Sequence, residues 1–384
     1  VMRGVGSASG RLARWEAERA ELRGLGILQP LLDEPGLTDI YVNAPGEIWT
    51  DGAQGLRRRD LAFPDDDAVR ELAVRLITLA GRRLDTSHPC ADVQTAAGYR
   101  VHAVLPPVAP EHPLLSIRLQ PEHRPDFAQL CASGLCEEAT ARLLRRIVAA
   151  RVSFLVSGST GSGKTTLLNA LLGLCPARER LVLIEDSAEL RPEHPHAVGL
   201  QTRQPNAEGT GGIGLTALIR EALRMGPDRL VLGECRGEEL KDLLLALNTG
   251  HEGGGGTLHA NSAQAVPSRL LALGALAGLA PEAVRRQVLT GLGAVIHLER
   301  GPGGRRVREI GVFRDDRLPG ALPGPDDAGR GPVTEAGAGA AGGEGLSVCP
   351  AWICPEDGAA RPGPGLSALC RLLGLGETPG EEPT

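Results

Sequence analysis

Phe154-Leu-Val-Ser-Gly-Ser-Thr-Gly-Ser-Gly-Lys-Thr-Thr166 is the stretch from which the rest of the chain can be read. A short apolar run opens it, Gly158 to Thr165 satisfy the spacing G-x-x-x-x-G-K-[ST], and a helical pattern follows. Between a strand and a helix, a loop of this composition makes a phosphate cradle. Its glycines let successive backbone N–H groups turn inward, and the helix N-terminus adds its positive end. Lys164 then bridges β- and γ-oxygens while Thr165 offers a hydroxyl to Mg2+. The expected binding residues are Gly158, Ser159, Thr160, Gly161, Ser162, Gly163, Lys164, Thr165 and Thr166, the expected cofactors ATP and Mg2+.

Working outward, strands and helices alternate. Strands are expected over 152–157, 181–185 and 229–233, helices over 164–174, 215–225 and 238–248, and a further strand near 307–313. Such alternation predicts an α/β domain with a parallel sheet covered by helices on both faces, spanning 151–317. Two of its strands end on acids. In Arg229-Leu-Val-Leu-Gly-Glu234 the terminal glutamate is the candidate to hold Mg2+ through water; in Val182-Leu-Ile-Glu185 it is the candidate base for the attacking water, with Glu189 as the alternative. Glu189 reads equally well as a solvated carboxylate at a helix start.

Upstream, 36–125 reads as a smaller α+β module. It has a hairpin at 39–43 and 47–50, a helix behind the caps Asp65, Asp66 and Asp67 with Val69, Leu72, Ala73, Leu76 and Ala80 on one face, and strands over 99–105 and 114–119. An amphipathic helix over 11–23 belongs to an N-terminal segment, 1–35, and residues 126–150 make a linker and helix. From 318 to 384 Gly, Pro, Ala and Asp dominate, as in Gly337-Ala-Gly-Ala-Ala-Gly-Gly343, so a flexible tail is expected, with Leu366 to Leu373 able to dock as a short helix.

Composition narrows the function classes. A chain of 384 residues with 42% hydrophobic and 23% charged residues folds, and does so as more than one domain. Its net charge of −6 and 2% aromatic content argue against direct nucleic-acid binding through bulk charge or stacking. The basic clusters Arg57–Arg59, Arg145–Arg146, Arg285–Arg286 and Arg305–Arg306 are scattered and read as solvated faces. The eight cysteines include no C-x-x-C pair, so reduced thiols are expected. With no apolar run of spanning length and no signal pattern, a cytoplasmic protein that meets a membrane only through partners is expected.

Four segments taken in order carry a family resemblance. Gly158-Ser-Thr-Gly-Ser-Gly-Lys-Thr165, Ile184-Glu-Asp-Ser-Ala-Glu-Leu190, Pro227-Asp-Arg-Leu-Val-Leu-Gly-Glu-Cys-Arg-Gly-Glu238 and Gly250-His-Glu-Gly-Gly-Gly-Gly-Thr-Leu-His-Ala-Asn-Ser262 resemble the Walker A, aspartate box, Walker B and histidine box of the type II/type IV secretion ATPases. Within that family the Tad/Flp pilus and conjugation branch looks nearest, and the resemblance runs from about residue 36 to 313. It implies a RecA-like domain behind an N-terminal domain, hexameric rings, ATP hydrolysis between subunits, and an inner-membrane pilus or secretion platform as partner. Arg100 and Arg118 match N-terminal-domain positions that contact nucleotide; Arg203 resembles another arginine of the branch, with Arg220 and Arg224 as further candidates four residues apart on one helix. His259 matches the histidine-box residue that positions the γ-phosphate, and His251 begins that box; His194 and His196 read as loop residues. The run Gly253–Gly256 and Cys235 depart from the family pattern, and the glycines put the order of their loop in question.

The leading functional reading is therefore a motor. A nucleotide-dependent scaffold or switch with slow turnover is the alternative from another class, disfavoured because a pure binder needs only the cradle and not Glu185, Glu234 and the arginines. Direct DNA translocation is a third reading.

Overall fold

The computed structural model describes residues 24–52, 54–95, 98–119, 124–205, 210–301, 304–317, 345–356 and 359–375. The chain divides into two compact units, Val1–His123 with Pro205–Thr210, and Arg124–Gln204 with Gly211–Thr384.

In the first unit a 3-10 helix, Gly26–Asp33, precedes a six-stranded antiparallel sheet. Its strands are β1 (Leu37–Ala44), β2 (Glu47–Gly52), β3 (Arg57–Arg59), β4 (Cys90–Gln94), β5 (Arg100–Val104) and β6 (Leu114–Arg118), in the order β3-β2-β1-β6-β5-β4. One face carries α1 (Asp66–Leu79). The Asp65 carboxylate accepts the Ala68 N–H at 2.9 Å, capping α1 as its sequence predicts. Val69, Leu72, Ala73, Leu76 and Ile77 of α1 pack with Ile40, Val42, Val101, Ala103, Leu115 and Ile117 of the sheet. The expected helix over 11–23 lies outside the described residues.

The second unit is built on a nine-stranded sheet. Its strands are β7 (Phe154–Gly158), β8 (Leu181–Glu185), β9 (Ala197–Gln201), β10 (Arg229–Cys235), β11 (Gly255–His259), β12 (Ala294–Gly301), β13 (Gly304–Asp315), β14 (Leu346–Ile353) and β15 (Arg361–Pro362). The order is β15-β14-β13-β12-β7-β11-β10-β8-β9: β12 through β9 are parallel, and β13 to β15 add antiparallel strands at one side. The helices are α2 (Phe127–Ala132), α3 (Glu138–Ala149), α4 (Lys164–Leu172), α5 (Leu215–Leu223), α6 (Glu239–Leu247), α7 (Val266–Leu276), α8 (Pro281–Gly291) and α9 (Leu366–Leu372). Two cores flank the sheet. Phe154, Val156, Leu183 and Val231 join the side of α3, α4 and α9, whereas Leu155, Val182, Ile184, Leu230 and Leu232 join the side of α5 to α8. Burial on both faces explains why these strands read as unbroken apolar runs.

Arg229 at the start of β10 is fully buried, its Nε 2.5 Å from Glu179 Oε2 and its Nη2 donating to Val148 O at 2.9 Å. Arg151, at φ +55°, donates to the other oxygen of Glu179 at 2.8 Å. The two arginines hold the Glu179 carboxyl below its ordinary value against the opposing effect of burial, and together they tie the end of α3 to the sheet.

Two expectations need correction. The flexible tail over 318–384 does not describe 345–356 and 359–375. Leu346, Val348, Cys349, Ala351 and Trp352 of β14 are buried, β14 pairs with β13 from Asp315↔Leu346 to Glu309↔Ile353, and Trp352 Nε1 donates to Thr140 Oγ1 at 2.9 Å. Residues 318–344 and 376–384 lie outside the described residues. The second correction concerns the glycine run at 253–256, which is no loose loop: Gly255 and Gly256 begin β11, in the middle of the sheet. A Cβ on Gly255 would stand 1.8 Å from the Phe154 carbonyl oxygen, so close approach of two backbones demands glycine there.

Candidate active site

The carboxyl ends of β7, β8, β10 and β11 gather the motif residues. After β7 the chain turns through Gly163, whose φ of +94° suits glycine, and enters α4 at Lys164. Lys164 is buried, and its Nζ donates to the carbonyls of Gly158 at 3.0 Å and Ser159 at 2.8 Å. It also donates to His259 Nδ1 at 3.4 Å, and His259 Nε2 lies 2.9 Å from Glu234 Oε1. A cation, an imidazole and a carboxylate from α4, β11 and β10 thus form one chain. Burial and the neighbouring Lys164 cation lower the His259 pKa, which favours neutral imidazole with its proton on Nε2 toward Glu234. Burial also lowers the pKa of Lys164, with Glu234 opposing.

Glu234 has a second partner that the sequence did not single out. Arg236 Nη2 donates to Glu234 Oε2 at 2.5 Å, while Glu239 Oε1 accepts the N–H groups of Arg236 at 2.5 Å and Gly237 at 2.7 Å. Thr257 Oγ1, on the neighbouring strand β11, donates to the Gly233 carbonyl at 2.6 Å. A cation two residues after a strand-end acid is a signal that could have found Arg236.

Glu185 ends β8, buried, and its side chain occupies the space beside Gly233, where a Cβ would meet its Cγ at 2.7 Å. Its Oε1 accepts the N–H of Glu189 at 3.0 Å and that of Leu190 at 2.9 Å. Burial nevertheless pushes its pKa up to about 7. These hydrogen bonds run to the following turn, not to the Lys164–His259–Glu234 chain.

The cradle fits a phosphate by its chemistry. The Ser162 hydroxyl is fully buried and has no hydrogen-bond partner among the described residues, the loop passes through positive φ at Gly161 and Gly163, and a lysine and, through His259, a carboxylate stand beside it. Thr165 and Thr166 are half-buried on the first turn of α4. 

The remaining candidates are placed elsewhere. Arg203 is exposed and makes a backbone bridge with Ile213; Arg220 Nε donates to Asp242 Oδ1 at 3.0 Å, and Arg224 Nη1 to Glu221 Oε1 at 2.5 Å. His251 Nδ1 is 3.2 Å from the Ala246 carbonyl, a helix-end contact, while His194 and His196 hold loop and strand-start contacts with Pro176 O and Arg180. In the first unit Arg100 and Arg118 face each other across β5 and β6. Arg100 forks onto Asp92, with Nη2 to Oδ2 at 2.9 Å, and Arg118 Nε donates to Asp39 Oδ1 at 2.9 Å.

Residues 21–300 match the family model described as type II/IV secretion system protein. The chain belongs to that family. Among relatives of this secretion family, a Mycobacterium tuberculosis protein that bears a conjugal-transfer name is 50% identical over 310 residues, covering 79% of this chain and 88% of that one. The type IV secretion system protein PtlH of Bordetella pertussis is 34% identical over 324 residues, covering 77% of this chain and 95% of that one. The crystal structure of the pilus retraction motor PilT with bound ADP shares the fold at 21% identity and a TM-score of 0.53, over 75% of this chain and 82% of that one. The secretion-family fold is thus a RecA-like P-loop domain with a parallel-rich sheet, preceded by a smaller α+β domain. Among the described residues no helix is long and apolar enough to cross a membrane.

Proposed function

We propose that the chain is a cytoplasmic ATPase, working as a hexameric ring, that couples ATP hydrolysis to pilus assembly, secretion or conjugal transfer by a membrane-embedded system of the Tad/Flp and conjugation type. The observation that supports this most directly is the chain Lys164–His259–Glu234, which connects three separate motifs above one phosphate loop. A protein that only held nucleotide would gain nothing from a histidine strung between the loop lysine and the strand-end acid. Membership of the secretion family, and relatives named for conjugal transfer and type IV secretion, point to the same class of machine.

In this reading the N–H groups of the loop and Lys164 bind the phosphates. His259, neutral and donating toward Glu234, reports the occupancy of the γ-phosphate position to that carboxylate. Mg2+, when bound, would be held by Thr165 Oγ1 and through water by Glu234, and would supply charge neutralisation at the phosphates. Glu185, with its pKa near 7, is suited to take a proton from the attacking water at neutral pH. Arg100, Arg118, Arg203 and Arg220 are the guanidinium candidates that complete the site from a neighbouring copy. The partner is an inner-membrane platform protein, reached from the cytoplasmic face.

Phosphate release measured over a range of protein concentrations tests this. Turnover per subunit should rise steeply as rings assemble, and Glu234→Gln should lower it about a hundredfold or more while nucleotide still binds. Equal, slow turnover by both proteins at every concentration would favour the scaffold reading and overturn the motor.

A further inference from the structure

The hairpin of β12 and β13 brings two arginines to the phosphate loop. Arg305 Nε donates to the Gly161 carbonyl at 2.9 Å, and its Cδ lies 3.2 Å from where a Cβ on Gly163 would stand. Arg300 Nη1 is 3.6 Å from the Cβ position of Gly161. The two residues are directly opposite each other in the β12–β13 register, and both are exposed. Like charges on one rung of a hairpin repel, and a carboxylate nearby ordinarily offsets them.

Among the described residues neither Arg300 nor Arg305 has an acidic partner. The acids of this neighbourhood are taken by the alternate residues of β13: Arg306 Nη2 is 3.0 Å from Glu299 Oε2 and 3.8 Å from Glu356 Oε2, and Arg308 Nε is 3.7 Å from the same Glu299 oxygen. Two facing guanidiniums without a counterion, resting on the outer rim of a loop shaped for phosphate, form half of an anion site. The sequence placed Arg305 in a solvated basic cluster because the partner across the rung is set only by the hairpin register.

We propose that Arg300 and Arg305 are a second grip on the nucleotide's phosphates, supplied by the same subunit that holds the loop, with Arg305 also bracing the Gly161 carbonyl. This rests on the ATPase reading above and adds to it the residues that make the site prefer polyphosphate. ADP and AMP are the probes, titrated calorimetrically into the full chain at low and physiological salt. Arg300→Ala and Arg305→Ala should each weaken ADP binding about tenfold, the double variant more, with AMP affected within about twofold. Arg305→Lys should restore part of the ADP affinity, and Arg306→Ala should leave it unchanged. In steady state the double variant should raise KM for ATP with kcat within about twofold. A hairpin that merely buttresses the loop predicts equal losses for ADP and AMP, which would overturn the proposal, as would a double variant that binds ADP like the wild type. A wild type that binds no ADP would overturn the ATPase reading along with it, so the two failures are distinguishable.

Discussion

Burial holds the Glu185 carboxyl at a pKa of about 7 against an ordinary 4.5, so the folded chain binds a proton there that the unfolded chain has already released. Stability contributed by the neutral form is complete below about pH 4.5 and is lost as pH rises toward about 7, a change of about 3 kcal/mol. Glu185→Gln should remove that slope, which urea unfolding at a series of pH values would read; an unchanged slope would show that the carboxyl is not held neutral. The same variant should lose most ATP turnover, because an amide cannot take the proton. Residue identity was legible where chemistry fixes spacing: Lys164, Glu234 and His259 were named from their motifs and meet in space. Arg236 and Arg305 were not, since a cation's role depends on the neighbour it finds, and nothing in local sequence says which neighbour that is.

Apolar stretches that lead into a glycine or an acid announced β7, β8 and β10, and the capping aspartates announced α1. β11 escaped notice because its glycines look like loop, although they are there to let its backbone approach β7 and β10. Gly255→Ala should therefore be among the costliest small changes in the chain, destabilising by about 3 kcal/mol or more, since the methyl group has only the Phe154 carbonyl to displace. Lowered denaturation midpoint and poor yield are the expected readouts; wild-type stability would mean that β11 does not sit against β7 as described. β14 escaped for a different reason. It follows a long compositionally biased segment, contains Pro350, and joins the sheet only through pairing with β13, a long-range contact that no local pattern encodes.

At the scale of the molecule, Arg100 and Arg118 share a rung of the first unit's sheet, and under the proposed function they act on the nucleotide of a neighbouring copy. Their like charges sit on one rung, offset by Asp92 and Asp39. Chains lacking both arginines and chains carrying Glu234→Gln should each be nearly inactive, yet mixing them should recover part of the turnover, because a seam between the two kinds of subunit contains one complete site. No recovery on mixing would mean that the arginines do not act across subunits. The nine-stranded sheet carries a last consequence at its antiparallel end, where the two-residue β15 with Pro362 blunts the border beyond β14. A chain stopped at Arg317 would strip β14 away and leave Glu309 to Asp315 of β13 with a bare row of amides and carbonyls. Such a shortened protein should stick to itself by edge-to-edge strand addition and sediment as aggregates, while the 384-residue chain stays dispersed.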